Sequence, residues 1–186
     1  MATRLAQRLP TTGRVNERDL LRLGATLGLV GWTGTAALAW LDTPAAGLLA
    51  LVWWALPVAG MVYAIARHAT NPVRFSTPLL GWGVLNGTAT AVTLWAVSVG
   101  APAGTVPLVW LSDLTLGYAW TAVALGRAGR PARTLGYAAA ALACTVAVGL
   151  GAASVTGGDG GGYSVVAVLH VVPLALDARG VGRRRR

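Results

Sequence analysis

Six apolar stretches follow one another along this chain of 186 residues, and they restrict its fold more than any other feature does. A stretch of about 20 apolar residues is the length that crosses the roughly 30 Å hydrocarbon core of a bilayer. The stretches cover residues 20–41, 44–66, 78–99, 105–125, 131–155 and 163–178. They predict an all-α integral membrane bundle of six transmembrane helices, of which the sixth is the shortest.

The arginines give the predicted helices an orientation. All 15 basic residues are arginines, and they fall before or at the start of the first stretch and in every second connection after it. These positions are Arg4, Arg8, Arg14, Arg18, Arg22, Arg67, Arg74, Arg127, Arg130, Arg133, Arg179, Arg183, Arg184, Arg185 and Arg186. Because positive residues stay on the cytoplasmic side, we expect a multi-pass cell-membrane protein with both termini in the cytoplasm.

The charge balance divides the chain into three parts. Residues 1–15 form a basic cytoplasmic segment, residues 16–178 hold the membrane helices, and residues 179–186 form an arginine-rich cytoplasmic tail. Only 11% of the residues are charged, against about 25% in soluble domains. We interpret the net charge of +9 as a topology signal and not as nucleic-acid binding. The tail, from Arg183 through Arg184 and Arg185 to Arg186, either fixes the last helix or contacts anionic lipids.

The composition also excludes several kinds of chemistry. Without lysine, the chain has no side chain for a Schiff-base cofactor and no P-loop lysine. Cys144 is the one cysteine, so an internal disulfide and a cysteine-pair metal site are excluded. Ser112 precedes Asp113, but no G-x-S-x-G motif surrounds it. We therefore expect no cofactor, no metal and no catalytic residue, which favours a protein that is not an enzyme.

Two ionisable residues lie well inside the apolar stretches. Asp113 lies roughly 9 Å from Pro107, near the outer end of the fourth stretch, and His170 lies roughly 10 Å from Tyr163 at that of the sixth, at 1.5 Å per residue. Ionisable groups inside a membrane helix are costly and are functional candidates by default. Because both lie at a similar depth, we expect a hydrogen-bonded carboxylate–imidazole pair if these helices are neighbours.

Two further polar residues extend this region and lead to two hypotheses about function. Asn86 lies in the third stretch, and Asp177 lies seven residues beyond His170 on the same helix face. In the first hypothesis, Asp113, His170, Asn86 and Asp177 line a path for protons or a small solute. In the second, Asp113 and His170 form an interhelical lock in a structural or accessory subunit, which binds a partner membrane subunit. The first hypothesis also implies a homo-oligomer, because six short helices enclose little volume.

Small residues and a proline predict how the helices pack. Gly24 and Gly28 in the first stretch allow a neighbouring backbone to approach closely. In the fifth stretch the predicted small-residue face consists of Gly136, Ala140, Ala143, Ala147 and Gly151. Pro173 has no amide hydrogen, so it leaves the carbonyl of Leu169 without its usual helical donor.

Eight tryptophans are predicted to occupy two kinds of position. An aromatic belt at the two membrane interfaces accounts for Trp40, Trp95 and Trp110 on the outer side and for Trp82 and Trp120 on the inner side. Core packing or lipid contact, in preference to stacking on a ligand, accounts for the deeper Trp32, Trp53 and Trp54.

Overall fold

The computed structural model describes residues 15–41, 46–102, 104–151 and 161–183. Within these residues the chain forms helices and no β-strand. Six helices are long, and the third is a single turn. They are α1 (Glu17–Trp40), α2 (Ala46–His68), α3 (Asn71–Arg74), α4 (Thr77–Ser98), α5 (Thr105–Arg127), α6 (Pro131–Gly149) and α7 (Gly161–Arg183).

Local sequence signals set where several helices begin. The side chain of Asn16 accepts hydrogen bonds from the amides of Arg18 and Asp19, and Asp19 accepts one from the amide of Asn16. This reciprocal capping box satisfies amides that have no partner inside the helix. The predicted starts at Thr105 and Pro131 are confirmed.

Glycine explains how the connections turn at three places. Gly100, Gly129 and Gly151 have φ values of 64°, 67° and 65°, which is the left-handed region that glycine adopts without a steric penalty. Each lies just after the end of a helix, where a left-handed residue stops further helical turns.

The sixth long helix is longer than its apolar stretch. The glycine-rich sequence of residues 157–162 predicts a flexible turn, but Gly161 and Gly162 are the first residues of α7. The rest of that predicted turn lies outside the described residues. Thr43 and Pro44, whose sequence predicts a cap and a first helical position for α2, also lie outside them. With 23 residues, α7 extends about 35 Å at 1.5 Å per residue, which is enough to cross a bilayer.

Sequence neighbours run antiparallel, so the described arginines gather at one end. The amide of Val15 donates to the carbonyl of His68 over 2.9 Å, which joins the start of α1 to the end of α2. Ion pairs from Arg133 join the start of α6 to Glu17 in α1 and to Asp177 in α7. We call this the basic end and the opposite one the arginine-free end.

Four helices, α2, α5, α6 and α7, are long and apolar enough to cross a membrane, which fits a membrane protein. The other two long helices are more polar. The first two turns of α1 contain Glu17, Arg18, Asp19 and Arg22, and α4 contains several threonines, an asparagine and three glycines. Six spans therefore remain a prediction.

The helix α2 has no buried residue, although it is strongly apolar. Leu56, for example, is 83% exposed. Its inner face packs mainly against α1, through Trp53 and Trp54. Water would solvate such a helix poorly, whereas lipid accommodates it.

Each of two hairpins contains a tryptophan that lies on a glycine of the opposite helix. In α1 and α2, the ring of Trp54 covers Gly31, and its Nε1 donates to Oγ1 of Thr35 over 2.9 Å. In α4 and α5, the ring of Trp82 covers Gly117, and its Nε1 donates to Oγ1 of Thr121 over 3.0 Å. The spacing of glycine and threonine, four residues, places both on one helix face.

A second tryptophan in each hairpin uses a backbone acceptor. Trp53 covers Gly34 and donates to the carbonyl of Val30, and Trp120 covers Gly81 and donates to the carbonyl of Thr77. These contacts allow close helix approach without leaving an indole N–H unpaired.

The aromatic belt at the membrane interfaces stays a prediction, but the tryptophans assigned to it have different surroundings. Trp40 and Trp95 are exposed towards the arginine-free end. Trp82 and Trp110 pack between helices, against Tyr118 and Trp32 respectively. Periodicity gives the depth of these residues but not which side of the helix meets a neighbour.

The small-residue packing is confirmed in α1 and shifted in α6. A Cβ added at Gly28 or Gly24 would meet His170 or Leu174 of α7. In α6, Gly136 and Ala143 are exposed. The buried face is instead formed by Tyr137, Ala140, Ala141, Cys144 and Ala147.

Substitution of Gly117 tests the tryptophan–glycine packing. A methyl group at Gly117 would collide with the ring of Trp82. We expect Gly117→Ala to lower the free energy of unfolding by about 1–3 kcal/mol through overpacking. The matched control is Gly87→Ala, because no atom lies within 4 Å of a Cβ there. Thermal unfolding in detergent measures both, and equal midpoints would contradict the packing described.

Candidate functional site

Trp32 is the centre of an aromatic cluster that joins four helices. It is 2% exposed, and its ring meets Trp54 of α2 at 4.9 Å, Trp110 of α5 at 5.2 Å and Tyr163 of α7 at 6.3 Å between centroids. Aromatic rings at such separations attract one another beyond the effect of burial. The cluster thus fixes the arrangement of the helices towards the arginine-free end.

His170 lies in a slot on α1. Its ring rests on the backbone at Gly28, where a Cβ would lie 2.5 Å from Cδ2. The Nε1 of Trp32 donates to Nδ1 of His170 over 3.4 Å, and the backbone of Gly24 also interacts with the ring. With Nδ1 as the acceptor, the neutral ring carries its hydrogen on Nε2.

The predicted hydrogen bond between Asp113 and His170 is not formed. His170 is bonded to Trp32, and neither carboxylate oxygen of Asp113 has a partner within the described residues. The two residues lie at a similar distance from the arginine-free end, as counting along the helices predicted. The rotation of α7, however, turns the side chain of His170 towards α1. The interhelical lock expected of this pair is instead formed by His170 with α1 alone.

Tyr118 supplies the hydrogen bond that Pro173 removes. Its hydroxyl donates to the carbonyl of Leu169 over 2.9 Å and lies 3.1 Å from the carbonyl of His170. The predicted orphan carbonyl at Leu169 is thus satisfied from α5. Tyr118 is fully buried, and its ring also meets Trp82 of α4 and Tyr137 of α6.

Asp177 belongs to a charged cluster at the basic end. Its Oδ2 accepts from the hydroxyl of Tyr137 over 2.8 Å and from Nη2 of Arg133. The Nη1 of Arg133 donates to Oε1 of Glu17 over 2.7 Å. Arg133 therefore connects α1, α6 and α7, and Asp177 is paired with it.

Asp113 is the buried charged residue that this network leaves out. It is 5% exposed, and both carboxylate oxygens are buried without a hydrogen-bond partner within the described residues. It lies eight residues into α5, about 12 Å from the helix start at 1.5 Å per residue. Gly117 and Thr121, which share its face at intervals of four residues, are covered by Trp82.

Asn86, Thr90 and Thr93 lie along α4 at intervals of four and three residues, but they do not form a continuous polar path. The amide of Asn86 donates to the carbonyl of Trp82 in the same helix over 2.8 Å. Thr90 is exposed and bonds to the carbonyl of Asn86. Thr93 is buried, and its hydroxyl has no partner within the described residues.

The four residues predicted from the sequence therefore separate. His170 is held on α1, Asp177 is paired with Arg133, Asn86 is bonded to its own helix, and Asp113 alone has an unsatisfied charged group. No group of three potential metal ligands occurs in the described part of the chain.

Sequence reasoning missed the side chains that connect the helices. The sequence contains signals for two of these connections. Pro173 requires a donor for the carbonyl of Leu169, and a buried hydroxyl such as that of Tyr118 can provide one. Glu17 and Asp177 are acidic residues among arginines at the basic end, where ion pairs are expected. For Trp32 as the aromatic centre, no sequence signal distinguished it from the other tryptophans.

Comparison with protein families, curated proteins and solved structures finds no match to this chain.

A pair of substitutions tests the contact between Tyr118 and α7. We expect Tyr118→Phe to lower the free energy of unfolding by about 1–2 kcal/mol, because it leaves the carbonyl of Leu169 buried without a donor. Pro173→Ala restores an amide at that place, so it should recover stability in the Tyr118→Phe background. Thermal unfolding of the two single variants and the double variant measures this coupling.

Tyr63→Phe is the control for that measurement, because Tyr63 is 60% exposed on α2. It should leave the unfolding midpoint unchanged. Additive effects of Tyr118→Phe and Pro173→Ala would show that the hydroxyl does not replace the missing amide.

Proposed function

We propose that this protein is a six-span cell-membrane protein that conducts protons, alone or coupled to a small solute, through a site centred on Asp113. Both termini lie in the cytoplasm in this proposal. The unpartnered carboxylate of Asp113 is the observation that carries it.

The proposed topology is supported by two independent features. The six long helices alternate in direction, and the described arginines lie at the basic end. The positive-inside rule places such an end in the cytoplasm. Asp113 then lies in the outer half of the membrane, on the side away from the arginines.

The proposed role of Asp113 follows from the cost of burying a charge. An ionised carboxylate without a partner loses roughly several kcal/mol of solvation that nothing in the surrounding protein returns. A residue that served as a structural lock would have a donor on a neighbouring helix. Asp113 has none in the described part of the chain, so its carboxylate needs a proton, a cation or a donor from a bound solute.

The other predicted residues take different roles in this proposal. His170 and Trp32 hold α7 against α1, and Asp177 with Arg133 and Glu17 holds the basic end together. Trp82 covers the α5 face on the basic side of Asp113. A proton or solute that moves along this face from Asp113 to the cytoplasm therefore requires Trp82 to shift.

The alternative is a structural or accessory subunit without transport, in which buried Asp113 and His170 help to hold the helices in the arrangement that a partner membrane subunit binds. Both functions use the same residue but differ in what its substitution changes. Transport predicts a loss of flux with the fold intact, whereas the accessory function predicts a loss of the partner.

Labelling of single cysteines tests the proposed topology. Cys144 is buried and can be replaced by alanine, after which Ser98→Cys and Ala128→Cys place a thiol at exposed positions near opposite ends. We expect an impermeant maleimide to label Ser98→Cys in right-side-out vesicles and Ala128→Cys only in inside-out vesicles. Labelling of both from the same side would contradict six alternating spans.

Asp113→Asn tests the proposed transport. In liposomes that contain a pH-sensitive dye, we expect the purified protein to increase proton influx under an imposed gradient. Asp113→Asn keeps the size of the side chain but removes the ionisable oxygen, so influx should fall to the level of protein-free liposomes.

Ser112→Ala is the matched control for this measurement. Ser112 is exposed beside Asp113, and its side chain points about 100° away around the helix. The Ser112→Ala variant should conduct protons as the original protein does. Thermal unfolding should show that both the Ser112→Ala and the Asp113→Asn variants fold. No influx with the original protein, or equal influx with Asp113→Asn, would reject transport at this site.

A further inference from the structure

A cleft of about 560 Å³ opens between α6 and α7 at the basic end. Glu17 of α1 contributes to its edge, and the charged residues Arg130, Arg133 and Asp177 contribute to its polar side. Its volume lies in the range of about 300–1,000 Å³ that is usual for small-molecule sites. It is separate from the surroundings of Asp113, which does not line it.

The inner part of this cleft is already charge-balanced. Arg133 is bound to Asp177 and Glu17 through its two terminal nitrogens. Its Nε is buried and has no hydrogen-bond partner within the described residues. The terminal nitrogens of Arg133 are therefore paired, whereas its Nε–H has no acceptor among the described residues.

The outer part of the cleft holds a weaker pair of charges. The Nη1 of Arg130 lies 3.6 Å from Oε1 of Glu17, and the two side chains are 45% and 40% exposed. A pair this exposed contributes little to stability. Both contacts of Glu17 use Oε1, which leaves Oε2 able to accept a further hydrogen bond.

The deeper side of the cleft is apolar. Pro173 and Leu176 line it, and Pro173 lies four residues before Asp177, about 6 Å further from the basic end. Gly136 lies on this side of the cleft and Gly180 lies nearer its mouth, and no atom of the described residues lies within 4 Å of a Cβ at either position. The cleft thus combines one positive and one negative group at its mouth with an apolar wall below them.

We propose that this cleft binds the headgroup of a phospholipid that carries both a phosphate and a primary ammonium, as phosphatidylethanolamine does. The phosphate accepts hydrogen bonds from Arg130, the ammonium donates to Glu17, and the start of the acyl chains lies on Leu176 and Pro173. The two arginines and two acidic residues of the cleft balance in formal charge, which suits a zwitterionic headgroup better than an anionic one. This proposal rests on the membrane placement proposed above but not on transport at Asp113.

Lipid titration of the purified full-length protein in detergent, followed by native mass spectrometry, tests this site. The probes are phosphatidylethanolamine, phosphatidylcholine and phosphatidylglycerol with identical acyl chains. Choline has no N–H to donate, and glycerol has no positive charge. We expect phosphatidylethanolamine to bind most tightly, at one molecule per chain.

Substitutions separate the two halves of the headgroup. Arg130→Gln should weaken phosphatidylethanolamine binding at least about fivefold, the usual effect of one arginine near a lipid surface. Glu17→Gln should remove the preference for phosphatidylethanolamine over phosphatidylcholine. Gly136→Leu should fill the apolar part of the cleft and weaken binding with both charges intact.

The matched controls lie outside the cleft. Arg127→Gln and Arg179→Gln remove exposed arginines at the same end, and Gly149→Leu changes an unobstructed glycine at the other end of α6. None of them should alter the affinity. Equal binding of the three lipids, tightest binding of phosphatidylglycerol, or equal effects of Arg130→Gln and Arg179→Gln would overturn the proposal.

The two proposed sites fail independently. Lipid affinity is measured without flux, so an absence of headgroup preference would leave transport at Asp113 standing. Equal proton influx with Asp113→Asn, together with a preference for phosphatidylethanolamine, would reject transport at Asp113 and leave the lipid site standing.

Discussion

The close contact between α1 and α7 at Gly28 is the constraint on which the rest of the bundle depends. Because Gly28 has no side chain, the ring of His170 lies directly on the α1 backbone and receives the N–H of Trp32. That contact fixes the rotation of both helices. It turns Trp32 towards the rings of α2, α5 and α7, and it brings the carbonyls of α7 within reach of Tyr118.

Several polar side chains inside the bundle join helices, and Asp113 differs from them because its charged group has no partner within the described residues. The indole N–H groups of Trp54 and Trp82 are bonded to threonine hydroxyls, and the hydroxyls of Tyr118 and Tyr137 are bonded to α7. In hydrocarbon such hydrogen bonds are needed, because no water is present to bond a polar group that lacks a protein partner. The carboxylate of Asp113 departs from this pattern, and for that reason the proposed transport is centred on it.

The sequence predicted the helices well and the contacts between their side chains poorly. Thr105 and Pro131 mark the starts of α5 and α6, and Asn16 with Asp19 forms a capping box at the start of α1. Such local signals need no knowledge of distant residues. The Asp113–His170 bond failed because counting residues gives depth but neither the neighbours of a helix nor its rotation. The start of α7 at Gly161 and Gly162 was missed because glycine has low helix propensity.

The partnership of α1 and α7 also has a consequence for how the protein is made. Trp32 and His170, which meet in the fold, are 138 residues apart in the chain. During synthesis α1 is made long before α7, so its glycines at positions 24 and 28 stay uncovered until α7 exists. A chain that stops before α7 would therefore leave this face of α1 without its partner helix.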